Sequence, residues 1–224
     1  MYQQQSPALK ETNPHGSQAF PCAFYRLKLS GHGILVKHHW HEEVEIIYFP
    51  GGTFTLDINM ETFDVSSECF YFINPEELHS ISVEKNGGCV ENAVVFHMDM
   101  LSSAYALDQI QTNLIQPVQN GSIQFPRCLR KNEPAFEPVR KSYEEIRNVF
   151  GGDSFRENYY DGEAVTDDIT RQLFIKSALL RILAVLSANN LFEVTEKNHD
   201  HRIETIKTTL TYIQENYKEK IYIR

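Results

Sequence analysis

Two histidines and a glutamate lie close together in the first quarter of this chain, and a third histidine follows further along. They are His39, His41, Glu45 and His79. Neutral imidazole and carboxylate groups are the usual ligands of zinc, nickel, iron or manganese in sites that keep one position open. Without a metal, the same side chains could line a polar pocket and hydrogen-bond a small molecule, because buried His and Glu need partners. We therefore predict a ligand-binding site at these four residues, where a divalent metal could bind but is not required.

The local spacing restricts how these side chains can meet. Residues two apart on a β-strand point to the same side, so His39 and His41 share one face. Glu45 has the same parity, but six residues of straight strand span about 20 Å, which is too far for a shared ligand. The sequence therefore predicts either a backbone bend between His41 and Glu45 or a site that excludes Glu45.

The elements that must position these residues are short β-strands. From about residue 23 to residue 98, β-forming runs alternate with turn signals at a spacing of ~8–12 residues. The predicted strands are Tyr25–Leu29, Ile34–His39, Glu45–Phe49, Thr53–Ile58, Thr62–Val65, Cys69–Ile73, His79–Val83 and Val90–His97. This pattern is typical of an antiparallel β-barrel or jelly roll. The predicted fold class is mainly β with α, in which helices follow the barrel.

A helical zone covers about residues 132 to 194. Apolar residues recur at helical spacing from Phe136 to Phe150, and the segment from Asp168 to Asn189 carries two neighbouring apolar stripes. A helix that is apolar over so wide an arc must be covered on two sides, and we expect a second copy of the chain on one of them. The predicted homodimer interface consists of Ile169, Leu173, Ile175, Leu179, Leu180, Ile182, Leu183 and Leu186. The alternative, in which both stripes pack within one chain, stays open.

A third zone begins at Asp200, a predicted helix N-cap, and its apolar residues recur at helical spacing from Ile203 to Tyr217. The whole chain carries a net charge of −9, whereas the segment after residue 200 is nearly balanced, which indicates a change of domain there. The predicted domains are a flexible lead over 1–22, a barrel over 23–128, a helical dimerisation region over 129–198 and the first helix of a further domain over 199–224.

Composition excludes several classes of protein. The acidic balance disfavours DNA binding by these residues, because affinity for phosphates comes from clustered Lys and Arg. No apolar run could span a membrane, and the polar N-terminus does not resemble a signal peptide. The four cysteines are predicted to be free thiols in a reducing cytoplasm; they are Cys22, Cys69, Cys89 and Cys128. Since the sequence has no G-x-S-x-G, P-loop or G-x-G-x-x-G motif, no catalytic residue is predicted.

Several segments of the sequence resemble one protein family. HHWHEEVEIIYFPGG, FTLDINMETFDVSSECFYFINPEELHSI and AVVFHMDML are similar to the sensor half of AraC/XylS-type bacterial transcription regulators. IETIKTTLTYIQENYKEKIYIR is similar to the first helix of their DNA-binding part. In that family a cupin-like barrel precedes helices that mediate dimerisation, and two helix-turn-helix units follow. The resemblance implies a non-enzymatic, cytoplasmic homodimer whose barrel binds a small effector, such as a sugar or related metabolite. DNA would be bound only through a C-terminal domain that is missing from this sequence.

The sequence departs from the metal-binding pattern of cupin enzymes at one motif. There, a Gly follows two residues after the Pro and a His three residues further on. Glu77 and Ser80 occupy these positions after Pro75, and His79 falls one residue early. This departure weighs against a four-ligand enzyme site. The alternative function, a metal-dependent cupin enzyme of the isomerase or dioxygenase type, also leaves the terminal helix without a use.

Overall fold

The computed structural model describes residues 9–105, 107–151, 168–195 and 201–216. Parts of all four predicted segments lie outside the described residues: positions 1–8 of the N-terminal lead, 106 of the barrel, 152–167 and 196–198 of the helical region, and 199–200 and 217–224 of the C-terminal helix. None of the helices within the described ranges is both long and apolar enough to cross a membrane.

Seven strands between Cys22 and Arg130 form one antiparallel sheet. The strands of this sheet are β1 (Cys22–His39), β2 (Val44–Phe49), β3 (Gly52–Ile58), β4 (Glu61–Val65), β5 (Cys69–Ile73), β6 (His79–Phe96) and β8 (Cys128–Arg130). Their order is β4-β3-β6-β2-β5-β8, and β1 pairs with β6. Two short strands, β7 (Ile123–Gln124) and β9 (Glu193–Val194), form a separate pair.

Strands β1 and β6, with 18 residues each, each join two strands that the sequence predicts separately. The predicted breaks around Gly31 and around Gly87 are wrong, because the two strands stay paired through both positions. Glycine bends the ladder there without ending it: Gly33 has a φ of 85° beside a register shift. At Gly87 a Cβ atom would lie 2.4 Å from the Thr53 carbonyl oxygen, so a side chain would prevent β3 from approaching β6.

Four α-helices are described, together with a 3₁₀ turn at Met98–Leu101 and a π turn at Gln111–Ile115. They are α1 (Gln116–Gln119), α2 (Phe136–Val149), α3 (Ile169–Ala188) and α4 (His201–Asn216). The two predicted helices of the central zone are confirmed. Pro134 precedes α2 and Pro138 lies in its first turn, where no backbone N–H is needed. At the start of α3, the Asp168 carboxylate accepts a hydrogen bond of 3.1 Å from the Arg171 backbone N–H.

The sheet separates two apolar cores. Alternate residues of β2 and β5 point to opposite sides, so Ile47 and Tyr71 lie inside the barrel while Ile46 and Phe70 lie outside it. The inner core is filled by strand residues. The outer core is covered by α2 and α3, which bring Tyr143 and other buried residues against the sheet. The helices therefore pack on the barrel through a continuous apolar layer.

The structure corrects most of the predicted dimer interface on α3. Five of its residues are buried within the chain, against α2 and the outer face of the sheet; they are Ile175, Leu179, Ile182, Leu183 and Leu186. These side chains are already removed from water and cannot also contact a second copy in this arrangement. The remaining three, Ile169, Leu173 and Leu180, are 72%, 62% and 41% exposed, and the unpredicted Phe174 is 56% exposed.

Part of the predicted flexible lead packs against the barrel instead. The Trp40 N–H donates to the Leu9 carbonyl at 3.0 Å, and the Glu11 N–H donates to the Trp40 carbonyl at 2.9 Å. Leu9 and Phe20 are both buried. Backbone hydrogen bonds and two apolar anchors thus hold this segment beside the residues that the sequence predicts as the binding site.

Candidate functional site

The predicted bend between His41 and Glu45 is present. β1 ends at His39 and β2 begins at Val44, so the chain turns between them. As a result, Glu45 Oε2 lies 3.4 Å from His41 Nε2 and 3.2 Å from His79 Nε2. The structure therefore brings Glu45 into the same cluster as the histidines, which a straight strand could not do.

His79 joins the cluster despite its offset in sequence. It begins β6, directly opposite His39 in the antiparallel ladder, so the two side chains lie on the same face. Their ring centroids are 4.1 Å apart. The turn before it is fixed by Glu76, whose N–H donates to the His41 carbonyl at 2.7 Å and whose φ is 66°. Strand pairing, and not motif spacing, places His79.

Glu77, which stands where cupin enzymes have a glycine, has a structural role. Its carboxylate accepts two hydrogen bonds of 2.6 Å from the Arg127 guanidinium. It also accepts a hydrogen bond of 2.8 Å from the Asn74 N–H. Because Glu77 is buried, this bidentate pair fixes the turn before His79 to the segment that precedes β8.

The three histidines share one arrangement of their ring nitrogens. Each Nδ1 lies within hydrogen-bond distance of a backbone carbonyl: 2.9 Å from Lys37 O for His39, 3.1 Å from Glu43 O for His41 and 2.9 Å from Glu77 O for His79. A carbonyl only accepts, so each Nδ1 carries a proton and Nε2 is the ring nitrogen that remains for other contacts. One ligand atom from each ring lies within 4.8 Å of those of the other two.

Electrostatics favour an uncharged His39, a protonated His41 and an ionised Glu45 in this cluster. Burial, reinforced by the nearby His79, lowers the pKa of His39 to about 3. Burial alone would raise the pKa of Glu45, but its contacts with His41 and His79 hold that pKa well below its usual value. Burial opposes protonation of His41, but the hydrogen bond and charge of Glu45 raise its pKa. The cluster therefore concentrates a negative charge beside imidazoles, which suits a cation or a hydrogen-bond donor.

The N-terminal segment contributes two residues that the sequence does not single out. The His15 ring packs edge-on to His41 with centroids 5.0 Å apart, and its Nδ1 lies 2.6 Å from the Tyr25 hydroxyl oxygen. Glu11 Oε2 lies 3.7 Å from His39 Nε2. No spacing could have predicted these contacts, because they depend on how the lead folds back over β1.

Glu91 is a further interior carboxyl, outside the four residues that the sequence predicts as the site. It alternates with Ala93 and Val95 on β6, and Val95 pairs with Glu45, so both glutamates face the barrel interior. Glu91 is buried, and its Oε2 has no hydrogen-bond partner among the described residues. Burial, together with the charge of Glu45, raises its pKa to about 8. The parity of the predicted strand Val90–His97 could have identified it.

This raised pKa predicts a pH-dependent stability. In the unfolded chain Glu91 ionises near its ordinary pKa of about 4.3, whereas in the fold it stays protonated to about pH 8. The folded state thus binds more protons in this window, and its stabilisation falls as pH rises from about 4.3 to 8. Glu91→Gln, neutral at every pH, should raise the melting temperature at pH 8 by at least about 2–4 °C and leave it nearly unchanged at pH 5. Calorimetry at both pH values checks this, and equal shifts at both would contradict it.

A separate cavity of about 650 Å³ lies outside the barrel. It is bounded by the turn at Asn74, Pro75 and Glu76, by the 3₁₀ turn, by α1 and by Thr195. None of the four predicted site residues lines it, although Glu42 from the bend does. The cavity is therefore lined by residues other than those of the histidine cluster.

The family model that matches this chain is the AraC-like ligand binding domain, over residues 21–148. A comparison with curated proteins finds no match. Among solved structures, a cupin protein from Bacteroides fragilis is 17% identical with a TM-score of 0.33, and the match covers 39% of this chain and 75% of that chain. A predicted oxalate decarboxylase from Thermotoga maritima is 27% identical with a TM-score of 0.31, over 34% of this chain and 67% of that one. The Bacillus subtilis oxalate decarboxylase, which contains Mn(II) centres, is 24% identical with a TM-score of 0.29, over 34% of this chain and 21% of that chain.

The fold class that the sequence predicts is confirmed: the protein is mainly β, with a cupin-like β-barrel and few helices. The matched region begins just before β1 and ends within α2, so it contains the barrel and all four residues of the histidine cluster. It covers more than half of the 224 residues. The chain therefore belongs to the AraC-like ligand binding domain family.

Proposed function

We propose that this chain is the ligand-sensing and dimerisation part of an AraC-type transcription regulator. A small-molecule effector binds at His39, His41, Glu45 and His79, and its binding modulates DNA binding by a domain that begins with α4. The observation that carries the proposal is the arrangement of the three rings. Each Nδ1 contacts a backbone carbonyl, one ligand atom of each ring lies within 4.8 Å of those of the other two, and Glu45 lies beside His41 and His79.

The donor set fits a divalent metal ion. The ligand atoms of His39, His41 and His79 lie close enough together to hold one ion, with the Glu45 carboxylate beside two of them, and imidazole and carboxylate are ligands that zinc, nickel, iron and manganese accept. His79 Nε2 is buried and approaches Glu45 without a well-aligned hydrogen bond, so a ligand could satisfy it. The Nδ1 contacts fix the ring orientations in advance, which is the supporting role that outer hydrogen bonds have in metal sites. A bound metal would supply a Lewis acid for an oxygen-bearing effector, such as a sugar or related metabolite.

Trp40 offers a physical connection between this site and α4. It lies between His39 and His41 in the chain and is the only tryptophan. The Lys207 ammonium of α4 lies 4.4 Å from the centroid of its ring, and the Lys10 ammonium lies 5.0 Å from it. Both distances are typical of cation–π contacts. A ligand that shifts the two histidines would also move Trp40, and this movement would change the contact of the Trp40 ring with Lys207 of α4.

The exposed stripe on α3 supports the homodimer that the proposal includes. Ile169, Leu173, Phe174 and Leu180 are all at least 41% exposed, although each is a large apolar residue. Ile169, Leu173 and Leu180 recur at spacings of four and seven and share one face of the helix, whereas Phe174 lies about 100° around it; exposed apolar side chains on one face indicate a protein interface. Because the buried stripe of the same helix packs on α2, a second copy meeting the exposed stripe would sit beside the barrel without disturbing it.

The connection to α4 can be tested with a divalent metal as the probe. Zn²⁺ should change the fluorescence of Trp40 and alter hydrogen–deuterium exchange in α4, because Trp40 lies between His39 and His41 in the chain and its ring contacts Lys207. Lys207→Ala should preserve Zn²⁺ binding and the fluorescence change but lose most of the exchange difference in α4. Mass spectrometry of the exchanged peptides measures both effects.

Lys131→Ala is the matched control, since this exposed lysine pairs only with the surface residue Glu68 among the described contacts. It should leave the exchange difference intact. Zn²⁺ binding with no change in α4 of the unmodified protein would refute the connection, as would an unchanged exchange difference in Lys207→Ala.

A further inference from the structure

Two cysteines meet on neighbouring strands at the edge of the sheet. In the antiparallel pairing of β5 with β8, Cys69 lies opposite Arg130 and Tyr71 lies opposite Cys128. Directly opposed residues share a face, and so do residues two apart, so both thiols point to the same side of the sheet. They are diagonal neighbours, and neither is part of a disulfide. This cross-strand pair is remote in sequence and forms only in the folded protein.

The surroundings make the two thiols chemically unequal. Cys69 is buried, whereas Cys128 is partly exposed. The hydrogen-bonding contact with Cys69 lowers the pKa of the Cys128 thiol, and the positive charge of Arg130 and the Tyr71 hydroxyl act in the same direction. The same contact, together with burial, raises the pKa of Cys69. The accessible sulfur is therefore the better thiolate, and the thiol behind it is positioned to react second.

We propose that Cys128 and Cys69 form a peroxide-sensitive pair that closes to a disulfide. The Cys128 thiolate attacks hydrogen peroxide, breaks its O–O bond and becomes a sulfenic acid, and the released hydroxide takes up a proton to give water. The Cys69 sulfur then attacks the Cys128 sulfur and expels the sulfenic oxygen, which leaves as a second water. Two thiols and one peroxide thus give one disulfide and two waters.

The backbone allows this closure with a small adjustment. Diagonal neighbours across an antiparallel pair lie about 7–8 Å apart, whereas the Cα atoms of a disulfide are about 4.4–6.8 Å apart. β8 has only three residues and is bonded on one side alone in the seven-stranded sheet, so a local adjustment of this edge strand breaks few backbone hydrogen bonds. The chain continues from Arg130 into α2, so a disulfide would hold the junction between barrel and helices.

This site is separate from the histidine cluster. Cys69 pairs with Phe49 at one end of β2, while Glu45 lies four residues away at the other end. That separation is about 13 Å along the strand. Oxidation of the two cysteines therefore requires no ligand bound at the histidine cluster. The proposal that they form a disulfide does not rest on the function proposed above.

Peptide mapping of the oxidised full chain tests the proposal. The reduced protein is treated with hydrogen peroxide, alkylated under denaturing conditions and digested. We expect the mass of a Cys69–Cys128 disulfide, loss of alkylation at both residues and full recovery with dithiothreitol. Cys22 is an internal control: it is completely buried, its burial raises its pKa, and it should remain alkylated.

Two variants separate the two steps. Cys69→Ser should accumulate a sulfenic acid at Cys128 that dimedone labels, whereas Cys128→Ser should lose dimedone labelling and consume far less peroxide. Full alkylation of both cysteines after peroxide treatment of the unmodified protein would overturn the proposal, as would a disulfide between two chains in place of the internal one. The peptide mapping uses the unmodified protein, so it tests for the Cys69–Cys128 disulfide even if one of the two variants does not fold.

Discussion

His41→Ala is expected to lower the affinity of this protein for Zn²⁺ by at least about tenfold to a hundredfold, the effect of losing even a residue that only supports a metal ligand. His41 is the central ring of the cluster: its Nε2 lies 3.4 Å from Glu45 Oε2, and its ring contacts those of His39 and His79. Alanine removes one of the nitrogen donors and also leaves the buried Glu45 carboxylate with a single histidine contact. Isothermal titration calorimetry with chelator-treated protein measures the change.

His38→Ala is the matched control for this experiment. His38 is the residue before His39 and points to the other side of β1, where its Nε2 lies 3.3 Å from the Ser80 hydroxyl. The substitution His38→Ala removes an equally large ring from the same strand without changing the cluster. The affinity for Zn²⁺ should therefore stay within about twofold of the affinity of the unmodified protein, a difference below ~0.5 kcal/mol. Equal losses in the two variants would show that the effect is structural. If the unmodified protein binds no divalent metal, the cluster does not hold a metal, and a direct contact with an organic effector is the remaining form of the proposal.

Part of the histidine cluster could be predicted from the sequence, because alternate residues of a β-strand point to the same face. A period of two along β-strands predicts that His39 and His41 share a face, and it also demands the bend that the structure shows before Glu45. The same rule applied to the strand Val90–His97 places Glu91 in the interior. Local rules succeed here because strand alternation is set by the backbone alone. They do not extend to His79, whose position depends on pairing with His39.

Contacts between distant segments could not be predicted from local patterns. The salt bridge between Glu77 and Arg127 joins residues fifty positions apart, and its sequence signal was only that Glu77 replaces a glycine. The contact of His15 with His41 depends on the N-terminal segment folding back on Trp40. In both cases tertiary packing decides which polar groups come into contact, and the spacing of residues along the chain does not indicate these contacts.

Helix α3 shows the same division between pattern and packing. Its two apolar stripes are visible in the sequence, and the structure buries one of them completely: Leu179 and Ile182 are at most 1% exposed. The sequence could not tell which stripe would be buried, because both have similar residues. That choice depends on α2, whose buried face supplies Val139 and Ile146 to the same core. The exposed stripe is then the part of α3 that remains available for an apolar contact with a second copy of the chain.

Leu173→Asp is therefore expected to convert a dimer into a monomer. Leu173 lies in the middle of the exposed stripe and is 62% exposed in the single chain, so a charge there costs little before association. Burying a leucine side chain contributes about 1.5–3 kcal/mol, and a two-fold interface uses each position twice. The dissociation constant should rise by about a hundredfold or more, since 1.4 kcal/mol corresponds to a factor of ten. Sedimentation velocity over a range of protein concentrations measures it.

Met60→Asp is the control that makes this result specific to α3. Met60 is also a large exposed apolar residue, at 65% exposure, but it lies in the turn between β3 and β4, away from the helices. It introduces the same charge and removes a side chain of similar size, so it should leave the dimer intact. A monomeric unmodified protein, or dissociation caused equally by both substitutions, would mean that the exposed stripe does not bind a second copy. Dissociation of the dimer by Leu173→Asp alone would assign the interface to the exposed stripe, because the buried stripe and the barrel are unchanged in both variants.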